Sequence, residues 1–304
     1  MGICESKSNN QVNLTNNTNK NTNIPGKAVT NNTNDLNQPK YSHEKEILYT
    51  DAGRYEGEIK NGIAEGKGIF YFKNGGRYEG EFKNGIAEGK GIFYYNDGDR
   101  YEGDFKNGLA DGKGIYYYNN GDRYEGEVKN GERDGKGIYY YSDGDRYEGE
   151  FKNGERDGKG IEYNKEGSRY EGDFKDGKKE GKGILYKDGN RLEGYHKNGQ
   201  PEGKAIFYFK DGSKFEGYFK DGKIEGKGNA YFNNGAKFEG DFKNNEIEGK
   251  GINFLKNGDK IERNFKNGKA EGIGMVYYNN GTLDVFKNWM AEKKLNLIII
   301  ILNI

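Results

Sequence analysis

Residues 78–100 read Tyr78-Glu79-Gly80-Glu81-Phe82-Lys83-Asn84-Gly85-Ile86-Ala87-Glu88-Gly89-Lys90-Gly91-Ile92-Phe93-Tyr94-Tyr95-Asn96-Asp97-Gly98-Asp99-Arg100. Near-copies of this 23-residue phrase begin at Tyr55, Tyr78, Tyr101, Tyr124, Tyr147 and Tyr170, and then at Leu192, Phe215, Phe238 and Ile261. A fixed period of this size marks a repeat array, in which each unit buries its surface against its neighbours. Within one unit, Arg54-Tyr55-Glu56-Gly57-Glu58-Ile59-Lys60 alternates Tyr, Gly and Ile with charge, the period-2 signature of a strand. Asn61-Gly62 follows, a pair that tolerates positive φ in a tight turn. Gly68-Ile69-Phe70-Tyr71-Phe72 reads as the returning strand, and Lys73-Asn74-Gly75 turns into the next unit.

The pairing of these two strands poses a question of faces. A strict two-residue turn at Asn61-Gly62 sets Tyr55 opposite Gly68 and turns Ile69 and Tyr71 away from Tyr55. Ile and Tyr recur at those two places, whereas position 70 drifts through Phe70, Phe93, Tyr116, Tyr139, Glu162 and Leu185. Recurring positions are expected to share the packed face. The reading therefore expects a longer connection through Glu65-Gly66 that flips the second strand. The other arrangement is a sheet with aromatics on both faces. Gly57, Gly66 and Gly68 are expected to leave room for Tyr rings to lie across the backbone.

Outward from the array the composition changes. Residues 1–40 are rich in Asn, Thr and Lys, lack a hydrophobic period, and read as a disordered arm. Residues 41–54 resemble the back half of a repeat and suggest an N-terminal cap, through Ile47, Leu48 and Tyr49. Ten repeats occupy 55–282. Residues 283–304 hold a truncated repeat and the apolar tail Leu295–Ile304, too short for the roughly 20 apolar residues of a membrane-spanning helix.

The whole chain of 304 residues has 49 basic and 49 acidic side chains and a mean hydropathy of -1.14. Hydropathy alone suggests disorder, but the period overrides it. Zero formal net charge gives no pull toward nucleic acid. Cys4 is the single cysteine, which fits a reducing compartment. No apolar run follows Met1, so no secretory signal is expected.

These units are similar to MORN (membrane occupation and recognition nexus) repeats. The residues that carry the resemblance are Tyr-x-Gly-x-Phe followed by Gly-x-Gly, as in Tyr78, Gly80, Phe82, Gly89 and Gly91. Ten copies in phase make it specific. Many members carry Trp where this chain has Phe82, Phe105 or Phe151, a change of packing. The resemblance implies an all-β, elongated, twisted single-layer antiparallel sheet of tandem hairpins, an open solenoid-like array. It also implies a binding or scaffolding module, sometimes with phosphoinositide contact or self-association, without fixing a partner.

The sharpest functional signal stands outside the array. Met1-Gly2-Ile3-Cys4-Glu5-Ser6 fits the N-myristoylation pattern, with Gly2 as the acceptor. Cys4 then lies where a palmitoyl chain supplies the second signal that stable anchoring needs. Membrane contact through these two chains places the protein on the cytoplasmic side of a plasma membrane or endomembrane.

Within the array, Tyr55, Tyr78, Tyr101, Tyr124, Tyr147 and Tyr170 form a row that offers a partner or lipid surface, although such rings more often pack the array itself. Lys60, Lys67 and Lys73 offer contacts to phospholipid head groups, although near-neutral repeats more often carry a solvated face. A homodimer is an option because an open sheet end exposes unpaired backbone.

Catalytic patterns are missing from the sequence. His43 and His196 are the two histidines, and neither has a Cys nearby. No zinc spacing, Ser-His-Asp set or phosphate loop is found, so no cofactor, metal or enzymatic activity is expected. The leading expectation is a membrane-anchored scaffold or tether. The alternatives are a cytoskeletal or ciliary structural component, or a phosphoinositide-binding accessory subunit of a lipid-modifying enzyme.

Overall fold

A computed structural model of the chain describes residues 46–287. They carry twenty-two β-strands, and every strand pairing described is antiparallel. The chain divides into two compact units between Gly135 and Lys136. In each unit, successive strands along the chain lie side by side in an open sheet.

In the first unit the strand Gly53–Lys60 pairs with Ile63–Phe72, which pairs in turn with Arg77–Lys83. Ahead of them Glu46–Tyr49 pairs with Gly53–Lys60, Leu48 standing opposite Tyr55. Ile47, Leu48 and Tyr49 thus take the register that Ile69, Phe70 and Tyr71 take against the next repeat. The hairpin turn is Asn61-Gly62, both at positive φ (53° and 77°), with Lys60 opposite Ile63. A two-residue turn of this hand matches the twist of its strands.

The register overturns the expected flip. Ile59 stands opposite Ala64, but Gly57 stands opposite Gly68. Glu58 alone therefore faces the three residues 65–67, a bulge of two extra residues. Two is an even number, so alternation survives and the second strand keeps its faces. Tyr55 comes opposite the drifting Phe70 and shares the buried face with it, while Ile69 and Tyr71 lie on the other face, half-buried. The sheet carries aromatics on both faces. Gly66 (φ 74°) makes the bulge, and the Glu58 carboxylate accepts the Lys67 backbone N–H at 3.3 Å. Asp104 does the same for Lys113 at 3.0 Å.

The buried face is an interlocked aromatic row. The Tyr55 ring lies across Gly57 and Gly68, and its hydroxyl donates to the Glu58 carbonyl at 2.8 Å. Phe82 meets Tyr55 edge-on at 4.9 Å and Tyr78 at 5.1 Å; Phe105 bridges Tyr78 and Tyr101 the same way. Each such edge contact adds about 0.5–1.5 kcal/mol beyond area burial. Each repeat is thus clasped by a ring from the next.

The opposite face carries charge over aromatics. The Arg77 guanidinium sits 4.1 Å from the Tyr94 ring centre, and Arg54 lies 4.8 Å from that of Tyr71 while pairing with Glu56 at 2.8 Å. At the hairpin end, repeats are stitched by a carboxylate. Glu65 accepts the Asn84 N–H at 2.9 Å, Glu88 that of Asn107 at 3.0 Å, and in the second unit Glu202 that of Asp221 at 2.9 Å. The Glu of Glu-Gly-Lys-Gly recurs for this reason: it fills an acceptor role at a turn whose backbone points its N–H outward.

The second unit keeps this plan and changes its fillings. Phe174 bridges Tyr147 and Tyr170 at 4.9 and 5.3 Å, as Phe82 does earlier. Then Leu192 replaces the tyrosine, and Ala205 replaces the glycine that a tyrosine ring would cover. At Phe215 and Phe238 the row is phenylalanine on phenylalanine, with Phe242 edge-on to Phe215 at 5.2 Å, before Ile261 takes the place. Leu192, Phe207, Phe215, Ile224 and Ile247 belong to the core there.

Candidate functional site

The six tyrosines Tyr55, Tyr78, Tyr101, Tyr124, Tyr147 and Tyr170 are at most 1% exposed. They are the packing of the array and do not form an exposed row of contacts. Burial is the largest cause of the rise of the Tyr55 hydroxyl to about 12, with the Glu58 carboxylate adding to it, and it likewise pushes Tyr78 and Tyr170 up. Lys60, Lys67 and Lys73 are exposed. At the Lys67 place in later repeats, Lys90 pairs with Asp104 at 2.6 Å and Lys159 pairs with Asp173. Gly2, Cys4 and the tail Leu295–Ile304 lie outside the described residues.

The feature that sequence reading passed over is on the buried face of the second unit, where the phrase departs from itself. Position 10 of the repeat is Ala64, Ala87 and Ala110 in the first copies but Arg156 and Lys179 here. Position 16, aromatic in the first four copies, is Glu162. The Glu162 carboxylate receives Arg156 at 2.6 Å and the Lys179 ammonium at 2.7 Å. All three side chains are about three-quarters buried. Burial pushes the Glu162 carboxyl up, but Lys179 and Arg156 outweigh it and hold the group below its ordinary range. Arg156 also donates to the Gly177 carbonyl at 2.5 Å.

His196 follows, at the place that Phe82, Phe105, Phe151 and Phe174 fill elsewhere. It continues the aromatic row by meeting Tyr170 edge-on at 4.9 Å. It is 4% exposed, and its Nδ1 finds no hydrogen-bond partner. Burial, with the Lys179 charge beside it, lowers the imidazole to about 4, so the ring is neutral at pH 7. A cleft of about 240 Å³ opens here, lined among others by Tyr170, Lys179, His196, Gln200, Phe219 and Asn245. The Asn245 Oδ1 accepts the Ile224 N–H at 2.7 Å. Asn245 itself replaces the turn glycine and holds φ at 72°. The available signal is comparative: aligning the ten copies shows charge entering at Arg133, Arg156 and Lys179, where the first three copies have Ala, and an imidazole entering a column that is otherwise apolar and mostly Phe.

Two further departures share a column. Tyr195 and Tyr218, 51% and 53% exposed, stand where Glu58, Asp104 and Asp173 cap the bulge. Lys182 approaches the Tyr195 ring at 5.5 Å. Among the described residues, no cluster of His, Cys, Asp and Glu suits a metal ion, and no helix is long and apolar enough to cross a membrane.

The MORN repeat profile matches ten consecutive segments: 55–77, 78–100, 101–123, 124–146, 147–169, 170–191, 193–214, 215–237, 238–260 and 264–283. No curated protein matches the chain. Among solved structures, the chain is similar to a mutant of the TCP10 domain of Danio rerio CPAP, at 14% identity and TM-score 0.36, over 72% of this chain and 99% of that one. The wild-type form of that domain is similar at 13% identity and TM-score 0.27, over 72% and 93%. Likenesses at this level carry no argument about what the chain does.

Proposed function

The chain belongs to the MORN-repeat family, and from that premise we propose that it is a non-catalytic scaffold or tether that organises protein partners at a membrane or the cortical cytoskeleton. The observation that carries this reading is how the repeats spend their side chains. Tyrosines fill the buried face, arginines stack on the other, and glutamates stitch the turns. Repeats of this kind make a regular support whose chemistry maintains itself.

The membrane part of the proposal rests on the sequence Met1-Gly2-Ile3-Cys4-Glu5-Ser6. Myristate on Gly2 supplies weak, reversible binding, and palmitate on Cys4 supplies the second chain that makes anchoring stable. The cytoplasmic face of the plasma membrane or an endomembrane is the expected location. Imaging of the full chain against Gly2→Ala and Cys4→Ser tests it. Membrane signal lost in both variants supports the anchor. Unchanged position in both sinks it and leaves the cytoskeletal role.

Head-group binding by the repeats is the weaker reading, because lysines such as Lys90 and Lys159 already have carboxylate partners. Flotation of Gly2→Ala protein with phosphoinositide vesicles, abolished by salt, would revive it.

A further inference from the structure

The strongest unassigned feature is the cleft at His196, and it is independent of the scaffold reading. Three departures from the repeat phrase meet in it: Lys179 where the first three copies have alanine, His196 where most copies have phenylalanine, and Asn245 where the other copies have glycine. Tyr170 and Phe219 supply apolar walls. Its volume of about 240 Å³ lies below the roughly 300–1,000 Å³ of drug-sized pockets, which suits a small occupant.

The polar groups fix the sign of that occupant. Among the lining residues Lys179 carries the charge, and it shares the Glu162 carboxylate with Arg156. Two other carboxylates, Glu180 and Asp173, act on the Tyr170 hydroxyl without lining the cleft. Glu180 accepts the Asn198 N–H at 2.9 Å, while Asp173 accepts that of Lys182 at 3.1 Å and pairs with Lys159. Lys179 lies 4.8 Å from the Tyr170 ring centre and spends one of its three donors on Glu162. His196 adds a neutral ring that also faces the Gly194 carbonyl, and its buried Nδ1 makes no hydrogen bond to another side chain. Gln200 and Asn245 contribute amides at the wall.

We propose that this cleft binds a small monocarboxylate with a short apolar stem, its carboxylate held by Lys179 and His196 and its stem between Tyr170 and Phe219. One ammonium and one neutral imidazole suit a monoanion better than a phosphate dianion. The carboxylate comes either as a free acid or as the end of a peptide chain, and the same contacts serve both.

The repeat supplies its own conservative replacements for the test. His196→Phe restores the residue of the other copies, and Lys179→Ala restores that of the first three, so both variants keep the packing. The full-length protein is titrated with benzoate, with the neutral benzamide and with N-acetylphenylalanine, while the His196 imidazole is followed by ¹H–¹³C NMR. Saturable shifts with benzoate and none with benzamide are expected, and isothermal titration should show at least tenfold weaker benzoate binding in either variant. Tighter binding of N-acetylphenylalanine than of benzoate assigns the site to a peptide end, and the reverse assigns it to a free acid. No saturable shift with either acid, equal response to benzamide, or undiminished binding in both variants overturns the proposal.

Discussion

A β-carbon added to Gly91 would stand 2.4 Å from the hydroxyl oxygen of Tyr78, a distance that no real pair of such atoms holds. The tyrosine ring occupies the space that the glycine vacates, and Gly80 opposite is crowded by the same hydroxyl at 2.5 Å. The phrase Tyr-x-Gly-x-Phe…Gly-x-Gly is thus one object, a ring and the two backbones it covers.

Gly91→Ala is therefore expected to destabilise the first unit by ~2–4 kcal/mol, an overpacking cost with little room for relief. Tyr78→Leu with Gly91→Ala should cost less than the sum of the two changes. The chain already holds that pair of changes in Leu192 and Ala205. Urea denaturation of the four proteins of this cycle measures the coupling. Strict additivity would show that the ring does not need the glycine.

Turn chemistry gives a second expectation. Asn84 holds φ at 51° and gives its N–H to Glu65 across the repeat boundary. Asn84→Gly should leave stability within about 0.5 kcal/mol, while Asn84→Ala should lose ~1–2 kcal/mol to left-handed backbone strain. Thermal melts of the two variants separate backbone strain from loss of the Asn side chain; equal losses would rule strain out.

Most of the fold is legible in the sequence, because period, turn pairs and alternation each have one physical cause. The face assignment is not. Recurrence of Ile69 and Tyr71 suggests burial, yet Tyr71 recurs on the other face, where Arg54 stacks on it and pairs with Glu56, a surface ladder that depends on fixed partners. Phe70 drifts because several shapes fill the space beside Tyr55. The decisive quantity was the parity of the bulge at 65–67, which no residue pattern encodes directly. The cleft was obscured for a related reason. His196 has no Cys, Ser or Asp neighbour in sequence, and its partners Tyr170 and Lys179 come from the two preceding strands.

The bulge provides a third expectation. Tyr218 stands where Glu58 and Asp173 cap the bulge by accepting the N–H of Lys67 and Lys182. Tyr218 is half exposed and leaves that role empty of a carboxylate. Tyr218→Glu should hold stability constant or raise it by up to ~1 kcal/mol, the worth of one hydrogen bond. A loss beyond 1 kcal/mol in chemical denaturation would mean that the tyrosine ring itself supports the fold.

The last expectation follows from burial of an imidazole. His196 titrates at about 4 in the folded chain against an ordinary 6.5, so between these values the unfolded chain binds a proton that the folded chain refuses. Stability from the neutral ring is complete above pH 6.5 and declines as pH falls toward 4. The groups that face the ring are the Lys179 ammonium, the Tyr170 ring and the Gly194 carbonyl, and Glu162 reaches it only through Lys179. From about 1.4 kcal/mol per unit, the loss should be of order 1–3 kcal/mol. The surrounding carboxylates titrate in the same window, so the informative quantity is the difference between wild type and His196→Phe. That variant should lose less stability between pH 7 and pH 4.5 in urea melts, and parallel losses would show that His196 is protonated as readily in the fold as out of it.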